Sequence, residues 1–139
     1  METQLFLDLT AKATRVSIHF CEPDELDSII PRLMEHGAAL FEVDSATIHA
    51  REDLLKAFSV ALKMPKGWYG DEEYAPNADA FLEYLDDVHE WVPAKGHLVV
   101  LRGAEQFWKA NARLAGTLVE WWQFATGPRE ADIHLVFVW

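Results

Sequence analysis

The sequence predicts a single α/β domain: a mainly parallel β-sheet of about four strands flanked by helices, with an extra strand at its N-terminal edge. Three observations carry this reading. Apolar runs of strand length alternate with amphipathic segments of helix length along the chain. Two of those runs, HLVVLRG and DIHLVFVW, are almost continuously apolar, as in strands covered on both faces. The chain has 139 residues, 50% of them hydrophobic, which fits one well-filled core.

Taken in order, QLFLDL and RVSIHF read as short strands separated by the polar TAKAT, expected to pair as a hairpin with the first as an antiparallel edge. EPDELDSIIPRLMEHG reads as a helix capped by Asp24, closed by Gly37, and kinked or broken at Pro31. AALFEV is a strand. HAREDLLKAFSVALK is an amphipathic helix with Leu54, Leu55, Phe58, Ala61 and Leu62 on one side. Asn77 is placed to cap a helix reaching about Glu90. HLVVLRG is the next strand, AEQFWKANARLAGTLVEWWQFAT is helical in two pieces around Gly116, and DIHLVFVW is the last strand.

Composition excludes several classes of function. The net charge is −11, whereas duplex recognition needs Lys and Arg on phosphates, and an anionic membrane surface attracts basic segments. One cysteine, Cys21, allows no internal disulfide and demands no oxidising compartment. METQLFLDLTAK has no basic n-region, and no stretch approaches the ~20 apolar residues of a transmembrane helix, so a soluble cytoplasmic protein is expected. The six histidines form no H-x₃-H or HExxH pair, and GxSxG, P-loop and GxGxxG motifs are missing. Neither a metal nor a cofactor is expected.

The unusual feature is residues 67–94, which hold eight carboxylates and no Lys or Arg. On the helix that begins after Asn77, Ala78, Phe81, Leu85 and Val88 fall on one stripe at ~100° per residue. Asp79, Glu83, Asp86 and Glu90 fall on another, roughly opposite. Like charges one turn apart cost a few tenths of a kcal/mol per pair, and a solvated face usually mixes signs to relieve them. Upstream, Asp71, Glu72 and Glu73 form a second cluster on a loop, beside Trp68 and Tyr69. The plain reading is a solvated acidic helix with two aromatics in the core. The alternative is that acids beside aromatics plug a basic active-site cleft.

The ordered set DLLKAFSVALKMPKGWYG, NADAFLEYL, GHLVVLRGAEQF and HLVFVW resembles the barstar family of ribonuclease inhibitors. The matching positions are Pro65, Trp68, Tyr69, Gly70, Asn77, Asp79, Ala80 and Glu83. The resemblance spans roughly Ala38 to the C-terminus. It implies a barstar-like core at 38–139, with 1–37 as an N-terminal strand–helix extension. It implies an inhibitor, not an enzyme, that binds a microbial ribonuclease inside the producing bacterial cell: an antitoxin or immunity protein, monomeric when free. By position, Asp79 would occupy the phosphate site of the enzyme, Glu83 would be a second acid one turn on, and Trp68 an aromatic anchor. Tyr69, Asp71, Glu72, Glu73, Leu82 and Asp86 complete the implied contact surface. The chain departs from the family pattern in its six-residue DEEYAP insertion, in Leu82 where Trp is common, and in Glu83 where the best-known member has Asp. Two other readings stand beside this one: a non-enzymatic acidic adaptor for another basic protein, and an enzyme using Asp79 and Glu83 as an acid/base pair.

Overall fold

A computed structural model of the chain describes residues 3–11, 17–65, 74–126 and 133–139. Its centre is a pair of strands buried on both sides. Strand β3 (Gly96–Arg102) is sealed throughout from His97 to Leu101, and every residue of the C-terminal strand β4 (Ile133–Val138) is buried. On their flanks lie β1 (Ile18–Cys21) and β2 (Ala38–Asp44), giving the order β1-β4-β3-β2 with every neighbouring pair parallel. The apolar runs that predicted doubly covered strands are therefore β3 and β4.

Parallel pairing sends successive side chains to opposite faces, and helices must cover both. One face presents Leu98, Val100, Val136 and Val138 to helices α1 (Gln4–Thr10) and α2 (Pro23–His36), which contribute Leu9, Leu26, Ile29 and Leu33. The other presents Val99, Leu101, Leu135 and Phe137 to α3 (Arg51–Ala61), α4 (Ala78–Trp91), α5 (Ala104–Ala110) and α6 (Ala112–Thr126). A 3-10 turn, Ser45–Thr47, follows β2, with Asp44 accepting from the Ala46 N–H. Among the described residues no helix is long and apolar enough to cross a membrane.

Several expectations are corrected. QLFLDL is helix α1, not a strand: Thr3 caps it through the Phe6 N–H, and Gln4 donates to Asp8 one turn on. Leu5, Phe6 and Leu9 lie on the side that packs against the α2 cluster, and Arg32 of α2 sits 5.3 Å from the Phe6 ring. RVSIHF supplies the edge strand β1, which runs parallel to β4 instead of in a hairpin. Helix α2 continues through Pro31. Pro31 and Asp27, the residue whose carbonyl loses its i+4 donor, are both on the exposed side, while Ile29 and Leu33 bury on the other side. The cap of α2 comes from Glu22 and Glu25, with Glu25 accepting the Glu22 N–H, rather than from Asp24. Gly37 does close the helix, at φ 99°, a left-handed position that glycine adopts without a Cβ penalty. The break between α5 and α6 falls at Asn111, whose side chain donates to the Ile48 carbonyl, and Gly116 lies inside α6.

A hydrogen-bonded chain ties the N-terminal elements to the sheet. His134 on β4 donates Nε2–H to the Ala11 carbonyl, 2.8 Å away. Its Nδ1 is then the acceptor for Nε2–H of His19 on β1, also at 2.8 Å. Both rings are buried. Burial, reinforced by His134 and opposed by Asp8, holds His19 down at about 4.

Two predictions follow from these positions. An alanine Cβ at Gly116 would meet no atom within 4 Å, so Gly116→Ala removes backbone freedom from the unfolded chain without a clash. It should stabilise the protein by about 0.5–1 kcal/mol in chemical denaturation; a loss of stability would mean that α6 is not helical there. The depressed pKa of His19 lies below its unfolded value of 6.5, so its contribution is complete above pH 6.5 and is lost as pH falls toward 4. Wild type should therefore lose more thermal stability than His19→Gln between pH 7 and pH 5; parallel pH profiles would refute this.

Candidate functional site

The acidic helix α4 is held by its apolar face and its two ends. The chain approaches it through Ala75, which is buried and donates its N–H to the hydroxyl of buried Ser59 on α3 at 3.1 Å. Asn77 then caps the helix, its Oδ1 accepting the Ala80 N–H at 2.9 Å, as its position before an apolar stripe predicts. Phe81 packs between Phe58 of α3 and Trp121 of α6, with ring centroids 5.9 Å away in both cases. Tyr84 stacks on Trp91 and donates its hydroxyl to the Leu62 carbonyl at 2.8 Å, pinning the middle of α4 to the end of α3. Leu85 and Val88 complete the buried stripe. At the exit, buried His97 hydrogen-bonds the Val92 carbonyl and lies parallel to the Phe41 ring, fixing the return into β3.

The opposite face carries the acids. Asp79, Glu83 and Glu90 are exposed; Asp86 and Asp87 are half-buried. No ion pair involves Asp79 or Glu83 among the described residues, whereas Asp86 is engaged within the molecule. Glu83 has Asp79 one turn before it and Asp87 one turn after it, both like charges at i and i+4 spacing. Asp79 lies in the first turn, where the positive end of the helix dipole favours an anion; Glu83 is too far along to gain from it. Leu82 is half-buried and packs against the core, so only part of it faces outward beside Glu83. Trp68, Tyr69, Asp71, Glu72 and Glu73 lie outside the described residues.

The arrangement suits recognition better than acid/base chemistry. Paired catalytic carboxylates are tuned by burial in an apolar pocket, and Asp79 and Glu83 stand in solvent. Among the described residues no group of three or more His, Cys, Asp or Glu is placed to hold a metal ion. The positioning residues Ser59, Tyr84 and His97 escaped the sequence reading. Tyr84 alone had a visible signal, falling three residues after Phe81 on the buried stripe.

Fold and site together define a small α/β protein that offers solvent an anionic helix, braced from behind by aromatic packing. Residues 38–137 match the family model described as Barstar (barnase inhibitor), and the chain belongs to the barstar family. The residues ahead of that match form α1, β1 and α2. Among solved structures, the Walker-type ATPase of Pyrococcus abyssi shares the fold, with a TM-score of 0.58 and 14% identity over 95% of this chain and 43% of that one. The chain thus spans less than half of that structure's length. No curated protein matches the sequence.

Neutralising the central acid should relieve repulsion on α4. Glu83→Gln is expected to raise the melting temperature by roughly 1 °C, more at 10 mM than at 500 mM salt. A lower melting temperature that is independent of salt would show that Glu83 makes a structural contact.

Proposed function

We propose that this protein is an immunity-type inhibitor that neutralises a ribonuclease toxin by placing α4, with the aromatic loop before it, in the basic active-site cleft. The observation that carries the reading is an exposed Asp79–Glu83 pair, without an ion-pair partner among the described residues, on a helix otherwise fixed by the core, in a chain of the barstar family. Exposed like charges one turn apart, such as Asp79 and Glu83, cost the free protein stability and are favourable only against a positive partner.

The mechanism follows from desolvation. Asp79 begins the helix and projects outward, so it leads into the cleft and takes the place of a substrate phosphate among Lys, Arg or His groups. Glu83, one turn on, engages the same positive site. Leu82 and Asp86 line the contact beside them, and Trp68 and Tyr69 supply apolar anchoring. Asp71, Glu72 and Glu73 lie toward the rim, where charge steers association more than it slows release. The partner is a basic ribonuclease domain, met by a monomer in the cytoplasm of the bacterium that produces both.

The test is titration calorimetry and inhibition kinetics. The targets are barnase and any basic ribonuclease domain encoded beside this gene. Asp79→Ala should keep its circular-dichroism spectrum yet lose at least ~100-fold in affinity, about 2.8 kcal/mol. Close charge pairs in the related barnase–barstar complex couple by about 1.5–7 kcal/mol, which sets the scale. The Asp79→Ala/Glu83→Ala double variant should lose less than the sum of the single variants, because both acids face one site. Wild-type affinity in folded Asp79→Ala would remove the acidic helix from the cleft.

A further inference from the structure

The carboxyl end of the sheet holds a second recess, built by elements other than α4. At the end of β1 the chain turns into α2 on one face, while at the end of β3 it turns into α5 on the other. Strand β4 lies between them, and the Trp139 N–H donates to the Cys21 carbonyl at 2.8 Å. In open α/β sheets, ligands bind outside the carboxyl ends of the strands where the connections on the two sides leave for opposite faces, here the ends of β1 and β3 with β4 between them.

The recess there has a volume of about 290 Å³ and is lined by Phe20, Cys21, Glu22, Glu25 and Trp139. That is at the bottom of the range for small-molecule sites, and it suits one long side chain. Its aromatic walls are unusually open: Phe20 is 56% exposed and Trp139 40%. Their centroids are 6.0 Å apart at 62°, and Phe20 is backed by Phe137, stacked at 5.1 Å, and by Trp108. Packing therefore fixes the Phe20 ring while part of it stays in solvent. Glu22 and Glu25 stand exposed at the rim without a cation partner among the described residues. Arg102, the cation whose charge reaches Cys21, is already engaged by Asp27 at 2.8 Å and Glu42 at 3.2 Å. Burial, and then Glu25, push the Cys21 thiol up to about 11, so the floor of the recess is neutral in a negative field.

Both carboxylates cap α2 through backbone N–H groups and keep further lone pairs outward, and open ring surface beside carboxylates that lack a cation partner is the chemistry that recognises a cation. Guanidinium fits better than ammonium, because its plane lies on an aromatic ring while its fork donates to carboxylate. We propose that this recess docks one arginine side chain of a partner protein. A partner that presents it is drawn to a surface whose net charge is −11. The proposal does not depend on the inhibitor reading, since four of the five lining residues precede the family match and the fifth follows it.

The test uses the full chain, uniformly ¹⁵N-labelled, titrated with N-acetyl-arginine amide and, as the neutral isostere, N-acetyl-citrulline amide. The Trp139 indole resonance is assigned with Trp139→Phe. The arginine probe should give saturable shifts at Trp139 and along β1, at least ~10-fold weaker in Phe20→Leu and in Glu25→Gln, both of which should keep the native spectrum. Equal shifts with citrulline, an unchanged response in the folded Phe20→Leu and Glu25→Gln variants, or no saturable shift at all would overturn the proposal. N-acetyl-lysine amide binding as tightly would overturn the guanidinium assignment.

Discussion

Everything in this fold answers to two central strands, β4 buried along its whole length and β3 from His97 to Leu101. Because β3 and β4 are buried on both faces, their alternating side chains demand cover above and below the sheet. Each fully buried Leu, Val, Ile or Phe contributes about 1.5–3 kcal/mol relative to exposure. The two layers of helices are thus what the central strands require. The residues ahead of position 38 supply one of them entirely: α1 and α2 close over Leu98, Val100, Val136 and Val138, and β1 covers the flank of β4. This part of the chain is integral to the core.

The position of the acidic helix is a consequence of the other layer. Helix α4 packs chiefly on α6 and also on α3. Phe58, Trp121 and the Tyr84 bond to Leu62 fix both its rotation and its height. Rotation matters most, because a turn of one residue position would carry Asp79 and Glu83 toward the core and cost far more than the repulsion between exposed acids. The apolar stripe, rather than the exposed Glu83 and Glu90, holds the helix and orients the charges.

What could be read from the sequence was whatever carried a local signal. The apolar runs of β3 and β4, the capping Asn77, the closing Gly37 and the phase of Asp79 and Glu83 depend on neighbours within a few residues, and the structure places them as expected. QLFLDL failed because so short a run, within a helix of seven residues, is too short to separate a period of two from a period of 3.6. Leu5, Leu7 and Leu9 alternate like a strand, and the contact of Phe6 with α2 decides for helix. Pro31 misled because the sequence does not say which side of α2 meets water. Gly116 drew attention from Asn111, whose breaking role depends on Ile48, far away in the chain. The supports of the site were hidden in the same way: Ser59 with Ala75 and Tyr84 with Leu62 are contacts between separate elements that no spacing rule announces. The recess at Phe20 and Trp139 was hidden further still, since its walls come from strands distant in sequence and adjacent in the sheet.

The interleaving of the two faces of α4 gives the molecule a division of inheritance. Phe81, Tyr84, Leu85 and Val88 are constrained by partners inside the protein, while Asp79, Glu83 and Glu90 alternate with them and stand in solvent. Substitutions in the outer set leave the inner set's neighbours untouched, so the two can drift at different speeds within one helix of 14 residues. The outward positions of this helix can therefore be rewritten without reopening the question of how the chain folds.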